Sequence, residues 1–172
     1  MKRFVVLSIL MVCVFAVHAQ ETMSALITAD ESGLIPSIYN RPNGSVVMQL
    51  HPSESYVLNL TMPKKGWWKV ISVYNEEDEN DTRASLEGSD TGEYYIYYSV
   101  IGTTSKNYGG ERLYLRKSPK AKAKVVYSFT EEYVILKPID IKNGWVKVET
   151  EEGKVGWIEE EWLCASNLTN CS

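Results

Sequence analysis

Through most of the chain after residue 20, apolar and polar positions alternate with a period close to two. In Gly144–Thr150, Val146 and Val148 fall on one face and Trp145, Lys147 and Glu149 on the other. In Gly66–Val73, Trp68 and Val70 oppose Trp67, Lys69 and Ile71. Val125–Phe129, Tyr133–Lys137 and Tyr94–Ile101 are likewise short, rich in β-branched and aromatic side chains, and bounded by turn residues, as strands are. No window of a dozen residues carries a helical stripe. Pro42-Asn43-Gly44, Ser118-Pro119 and Glu151-Glu152-Gly153 read as turns, and Pro63–Gly66 and Asp140–Gly144 as loops before the two Trp-bearing strands. The pattern predicts an all-β chain with little helix.

The alternation is also repeated. Gly66-Trp67-Trp68-Lys69-Val70 returns as Gly144-Trp145-Val146-Lys147-Val148, and Ile38-x-x-x-Pro42 as Leu115-x-x-x-Pro119. Between them Val46-Val47 is echoed by Val125-Val126 and Tyr56-Val57-Leu58 by Tyr133-Val134-Ile135; further on, Tyr95-Ile96 and Val100-Ile101 parallel Trp157-Ile158 and Trp162-Leu163. Landmarks in one order at a nearly constant offset predict a duplicated unit. The first copy is expected over residues 24–104 and the second over 105–164, with 165–172 as a tail. One asymmetry interrupts the match: residues 75–92 form a polar stretch containing Glu76-Glu77-Asp78-Glu79-Asn80-Asp81, read as an extended, self-repelling hairpin loop. Calcium binding there is disfavoured, because the Asp-x-Asp-x-Asp-Gly spacing of a calcium loop is missing.

Residues 1–19 read as a signal peptide. Lys2 and Arg3 precede an apolar run from Phe4 to Val17, and Val17-His18-Ala19 offers cleavage after Ala19. The run is too short for a comfortable membrane span. A lipoprotein reading at Cys13 is weakened by the bulky Val12 before it and by the apolar residues beyond it. Cleavage removes two cations and no anion, taking the formal net charge from −4 to −6. An acidic exported chain has no electrostatic reason to seek nucleic acid, and its overall charge gives no basic patch for anionic lipids. The chain is therefore expected to be secreted or periplasmic, where Cys164 and Cys171 should pair and close a short C-terminal loop.

Leu113-Tyr114-Leu115-Arg116-Lys117-Ser118-Pro119 resembles the opening strand of bacterial SH3-like (SH3b) domains. Gly144-Trp145-Val146-Lys147-Val148 and Gly156-Trp157-Ile158, closing on Trp162-Leu163, resemble the rest of that family's pattern in its order. The resemblance covers roughly Tyr108 to Leu163. The first copy is a divergent relative, with Asn40-Arg41-Pro42 shortening the first motif and Tyr95-Ile96 in place of Trp-Ile. The resemblance implies two tandem small barrels of strongly bent antiparallel strands, which close sheet edges an exported β protein would otherwise expose. It also implies that Gly156 permits a close backbone approach, and that Ile158 and Leu163 point inward with Val146 and Val148.

Catalytic chemistry finds no support in these residues. His51, beside Pro52 in a turn, is the sole histidine after the leader, and a nucleophile needs an activating base. Glu149, Glu151, Glu152, Glu159, Glu160 and Glu161 read as a wet surface, since carboxylate pairs that cleave glycans face each other across a cleft. SH3b modules often accompany wall-cutting cysteine peptidases, but this sequence has neither the length nor the Cys–His pair for one. No cofactor and no metal site is called for. The Asn-x-Ser/Thr triplets at Asn43, Asn59, Asn80, Asn167 and Asn170 are read as chance.

What remains is a binding surface. Alternation places Trp67 and Trp145 outside their barrels' cores and Trp162 near a barrel's end. Eukaryotic SH3 domains grip peptides with a similarly placed Trp, so Trp67, Trp145 and Trp162 are the candidate ligand contacts. The alternative for each is simple packing. The expected partner is peptidoglycan peptide or glycan, or another exported protein for which the chain would be a scaffold. A cell-wall hydrolase is the distant alternative.

Overall fold

The computed structural model describes residues 20–28, 35–77, 92–132, 134–166 and 171. The expected leader and residues 78–91 of the expected acidic loop lie outside the described residues. Those described form thirteen strands: β1 Thr22–Ile27, β2 Ser37–Tyr39, β3 Val46–Gln49, β4 Tyr56–Lys64, β5 Trp67–Asn75, β6 Tyr94–Tyr97, β7 Ile101–Ser105, β8 Leu113–Arg116, β9 Val125–Phe129, β10 Ile135–Lys142, β11 Trp145–Thr150, β12 Val155–Glu159 and β13 Leu163–Cys164. Two 3₁₀ turns, Tyr98–Val100 and Glu160–Trp162, precede β7 and β13. The fold is all-β and every strand pairing is antiparallel. Among the described residues no helix is long and apolar enough to cross a membrane.

The pairings recur. In the N-terminal half β1 pairs β4 and β7, β2 pairs β3 and β6, and β5 lies between β4 and β6. Six strands later β7 pairs β10 and β13, β8 pairs β9 and β12, and β11 lies between β10 and β12. Strand β7 thus closes one set and opens the next. The ladder is continuous from β3 at one end to β9 at the other, with β13 branching from β7. The expected division at residues 104 and 105 falls at the end of this shared strand.

Register corrects one echo. Trp68 faces Ile96 as Val146 faces Ile158, and Leu26 pairs with Val57 as Thr104 pairs with Ile135. Leu58 therefore corresponds to Leu136, both fully buried, and the echo of Tyr56-Val57-Leu58 slips by one residue. In a strand a one-residue slip exchanges the two faces, and here the cross-strand pairs decide the alignment. The loops before β5 and β11 are also tighter than expected. Strands β4 and β10 run through Lys64 and Lys142, leaving the two-residue turns Lys65-Gly66 and Asn143-Gly144. All four of these residues have positive φ, between 52° and 81°, the mirror-image turn that suits the twist of a hairpin.

Buried apolar side chains of both halves form one contiguous cluster, from Met23, Leu58, Trp68 and Ile96 to Leu115, Val146, Val148 and Ile158. Leu163 is half-buried and packs against it. The halves therefore do not keep separate interiors. Trp68 is completely buried, and its indole Nε1 donates to the carbonyl oxygen of Pro138 in β10 at 2.8 Å. The Tyr98 hydroxyl donates to Glu149 Oε2 at 3.1 Å, and the Asn143 amide donates to the Glu21 carboxylate. At Gly156 an added Cβ would stand 2.6 Å from Leu115 Cβ and 2.9 Å from Val126 Cγ2, so β12 crosses β8 and β9 where only glycine fits. A disulfide joins Cys164 to Cys171 and holds the chain end against β13.

Candidate functional site

The turn that brings β4 into β5 sets up the most distinctive surface of the molecule. Gly66 accepts a hydrogen bond from the Tyr98 amide at 2.9 Å, fastening the hairpin to the 3₁₀ turn. An added Cβ on Gly66 would lie 2.9 Å from Tyr97 and 3.0 Å from Tyr98, at a backbone φ of +81° that already favours glycine. Trp67 follows directly. Since Trp68 points into the core, strand alternation turns Trp67 outward, where it is half-exposed.

Two neighbouring strands supply its companions. Tyr97, opposite Trp67 on β6, brings its ring to 5.1 Å. Tyr39 at the end of β2 meets the indole edge-on at 5.2 Å and 88°, and Tyr98 packs on Tyr97 at 5.0 Å. These separations are those of attractive aromatic pairs, so the rings hold one another in place without a ligand. Hollows flank the platform on both sides. One, of about 650 Å³, is lined by Ile35, Ser37, Tyr39, Trp67, Tyr97 and Val100 among others. The other, of about 510 Å³, is lined by Pro42, Met62, Lys64, Lys65, Trp67 and Tyr95 among others.

The rim is charged and ordered. Glu93 accepts from Lys69 Nζ at 2.8 Å and from the Tyr95 hydroxyl at 2.6 Å. The hydrogen bond from Lys69, then that from Tyr95, hold its carboxyl below the usual carboxylate range. The same bond raises the Tyr95 phenol. Burial, then the bond to Glu149, raises the Tyr98 phenol. Lys64 and Lys65 make no ion pair with any described residue. Flat rings between two hollows, with Lys65 lining both and Lys64 one of them, can stack on a sugar ring or cover an apolar peptide segment while pairing with a carboxylate.

Of the three tryptophans singled out from the sequence, only Trp67 lies on this platform. Trp145 occupies the matching place on β11, also half-exposed, but the register puts Arg116 and Glu159 where Trp67 has Tyr39 and Tyr97. Trp162 is half-buried and packs against the core. Tyr39 and Tyr97 were not anticipated. The run Tyr94-Tyr95-Ile96-Tyr97-Tyr98 was a signal, but cross-strand pairing decides which of its rings meets Trp67. His51 Nδ1 lies 2.7 Å from Ser53 Oγ within one exposed turn. Its Nε2 has no partner among the described residues. A further hollow of about 510 Å³ beside the disulfide contains Glu160, whose carboxyl is raised by burial and by Glu21. Among the described residues no three His, Cys, Asp or Glu side chains cluster as metal ligands do.

Residues 109–164 match the model of the bacterial SH3 domain. This segment is similar to bacterial SH3 domains. It spans β8 to β13 and the Trp145 face, whereas the Trp67 platform lies outside the matched residues. No curated protein matches the chain. Two similar solved structures are NlpC1 and NlpC2 from Trichomonas vaginalis. NlpC1 is 14% identical over 84% of this chain and 46% of its own, with a TM-score of 0.30. NlpC2 is 12% identical over 90% and 52%, with a TM-score of 0.32. The chain spans about half the length of each, and likenesses at these scores carry no argument.

Proposed function

We propose that this is an exported, non-catalytic binding protein that recognises a cell-envelope component, peptidoglycan peptide or glycan, on the Trp67 platform. The observation that carries the reading is the three-ring surface of Tyr39, Trp67 and Tyr97 between two hollows, with Lys64 and Lys65 at its edge. Aromatic side chains at the centre of a contact surface dominate binding energy. The bacterial SH3 segment and the leader-like residues 1–19 both suit an envelope role. The recurring pairings support reading the two halves as copies of one small barrel that meet at β7, the first having diverged to build the aromatic surface. A partner protein is the second reading. It is favoured by β3, which ends the ladder with Val46 and Val47 exposed and could accept another strand.

Sedimentation with purified sacculi tests the first reading. The protein should co-sediment, and Trp67→Ala should weaken the association by about thirtyfold, the effect of losing one central aromatic contact, while circular dichroism stays unchanged. Trp145→Ala should have little effect. An absence of sedimentation at every salt concentration would discard wall binding and leave the partner-protein reading.

A further inference from the structure

A second surface, on the opposite half of the molecule, differs from the platform in chemistry. Between residues 112 and 130 the sequence holds Arg112, Arg116, Lys117, Lys120, Lys122 and Lys124 and no Asp or Glu. The chain's net charge of −4 conceals this +6 segment, which corrects the expectation that no basic patch exists. The structure gathers it into one hairpin, β8–β9, at the free end of the ladder. All four lysines of its turn are exposed. No described acid makes an ion pair with any of the six cations. Glu131, past the end of β9, acts on Arg112, and Glu152, in the turn between β11 and β12, acts on Tyr127.

The turn is a scaffold rather than a loose loop. The Lys117 amide donates to the Lys124 carbonyl and the Ala123 amide to the Lys120 carbonyl, both at 2.9 Å. The Arg116 guanidinium donates to the Ala123 carbonyl at 3.1 Å and lies over the Tyr114 ring. Beside the cations, Tyr114, Val125 and Val126 are 37%, 40% and 43% exposed. Exposed cations on a backbone-fastened hairpin at the end of the ladder, flanked by exposed apolar side chains, match the interfacial layer of an anionic bilayer, where phosphates meet the lysines and hydrocarbon meets the valines. A soluble polyanion would use the charges and leave the apolar neighbours in water.

We infer that the β8–β9 hairpin docks the protein on a membrane surface rich in anionic phospholipid, independently of the Trp67 platform. A Debye length near 8 Å lets this local charge act although the whole chain is acidic. The test is co-sedimentation of the full chain with phosphatidylglycerol-rich vesicles, with phosphatidylcholine vesicles, and with phosphatidylglycerol vesicles in the presence of soluble polyphosphate. Binding should require phosphatidylglycerol, fall with salt, and survive both Trp67→Ala and modest polyphosphate. Each lysine near an anionic leaflet is worth about fivefold in partitioning, so combining Lys120→Glu, Lys122→Glu and Lys124→Glu should cost a hundredfold or more. These side chains are exposed, and an unchanged near-ultraviolet spectrum would show that the variant folds. Equal binding to both lipids, full retention by the triple variant, or binding to polyphosphate with none to vesicles would each overturn the inference.

Discussion

Trp68 and Trp67 are adjacent letters with opposite duties, and replacing each with Phe should separate them cleanly. Trp68→Phe removes the indole N–H that serves the Pro138 carbonyl, in a position with no solvent access. Leaving a buried acceptor unmade costs about 1–3 kcal/mol. The smaller ring also leaves a void, which at about 24 cal/mol per Å³ adds roughly 1 kcal/mol if the site stays open. A total of about 2–4 kcal/mol is a large share of the stability of a domain this size. Because the bond crosses from β5 to β10, the loss should loosen both halves together. Urea unfolding followed by circular dichroism would read it as a lower midpoint with an unchanged slope. Trp67→Phe keeps an aromatic ring on a half-exposed site and should cost less than about 1 kcal/mol. A Trp68→Phe midpoint within error of the parent would refute the burial and the bond. A shallower or split transition would refute the single shared core.

Two further outcomes follow from the same geometry. Gly156→Ala places a methyl 2.6 Å from Leu115 Cβ and 3.2 Å from the Arg116 backbone nitrogen, and should destabilise by about 1–3 kcal/mol in the same unfolding assay. At the rim, Lys69→Met should raise the titration midpoint of the Glu93 carboxyl, observed by carbon-13 NMR. The folded carboxyl titrates below its ordinary 4.5, so the stability it contributes is present above that pH and fades as pH falls through the folded value; the variant should lose the Lys69 share of this acid-side dependence and keep that of the Tyr95 bond.

Much of this fold could be read from letters because strand patterning and turn chemistry agreed. Alternation within β5 and β11 alone separates Trp68, Val70, Val146 and Val148, all buried, from Trp67 and Trp145, although the turns before them were read as longer loops. The register of β4 against β10 was misread by one residue, since Val57 and Leu58 are both buried and alternation is silent where both faces are covered. Sharing of β7 was not legible, because Ile101–Ser105 pairs with β1, β10 and β13 across long stretches of chain. The platform was half-read. Outward-facing Trp67 follows from alternation, but its distinction from Trp145 depends on Tyr39 and Tyr97 against Arg116 and Glu159, which only cross-strand register brings together. The basic hairpin was hidden by averaging charge over the chain.

Under the proposed function, ligand meets the Trp67 platform rather than the Trp145 face. Amide and indole NMR shifts, followed while soluble peptidoglycan fragments are titrated in, test it most directly. The Trp67 indole and the amides of Tyr39, Lys65 and Tyr97 should move together and saturate with one affinity. Movement centred instead on Trp145 and Trp162, with the Tyr39–Trp67–Tyr97 signals still, would contradict it.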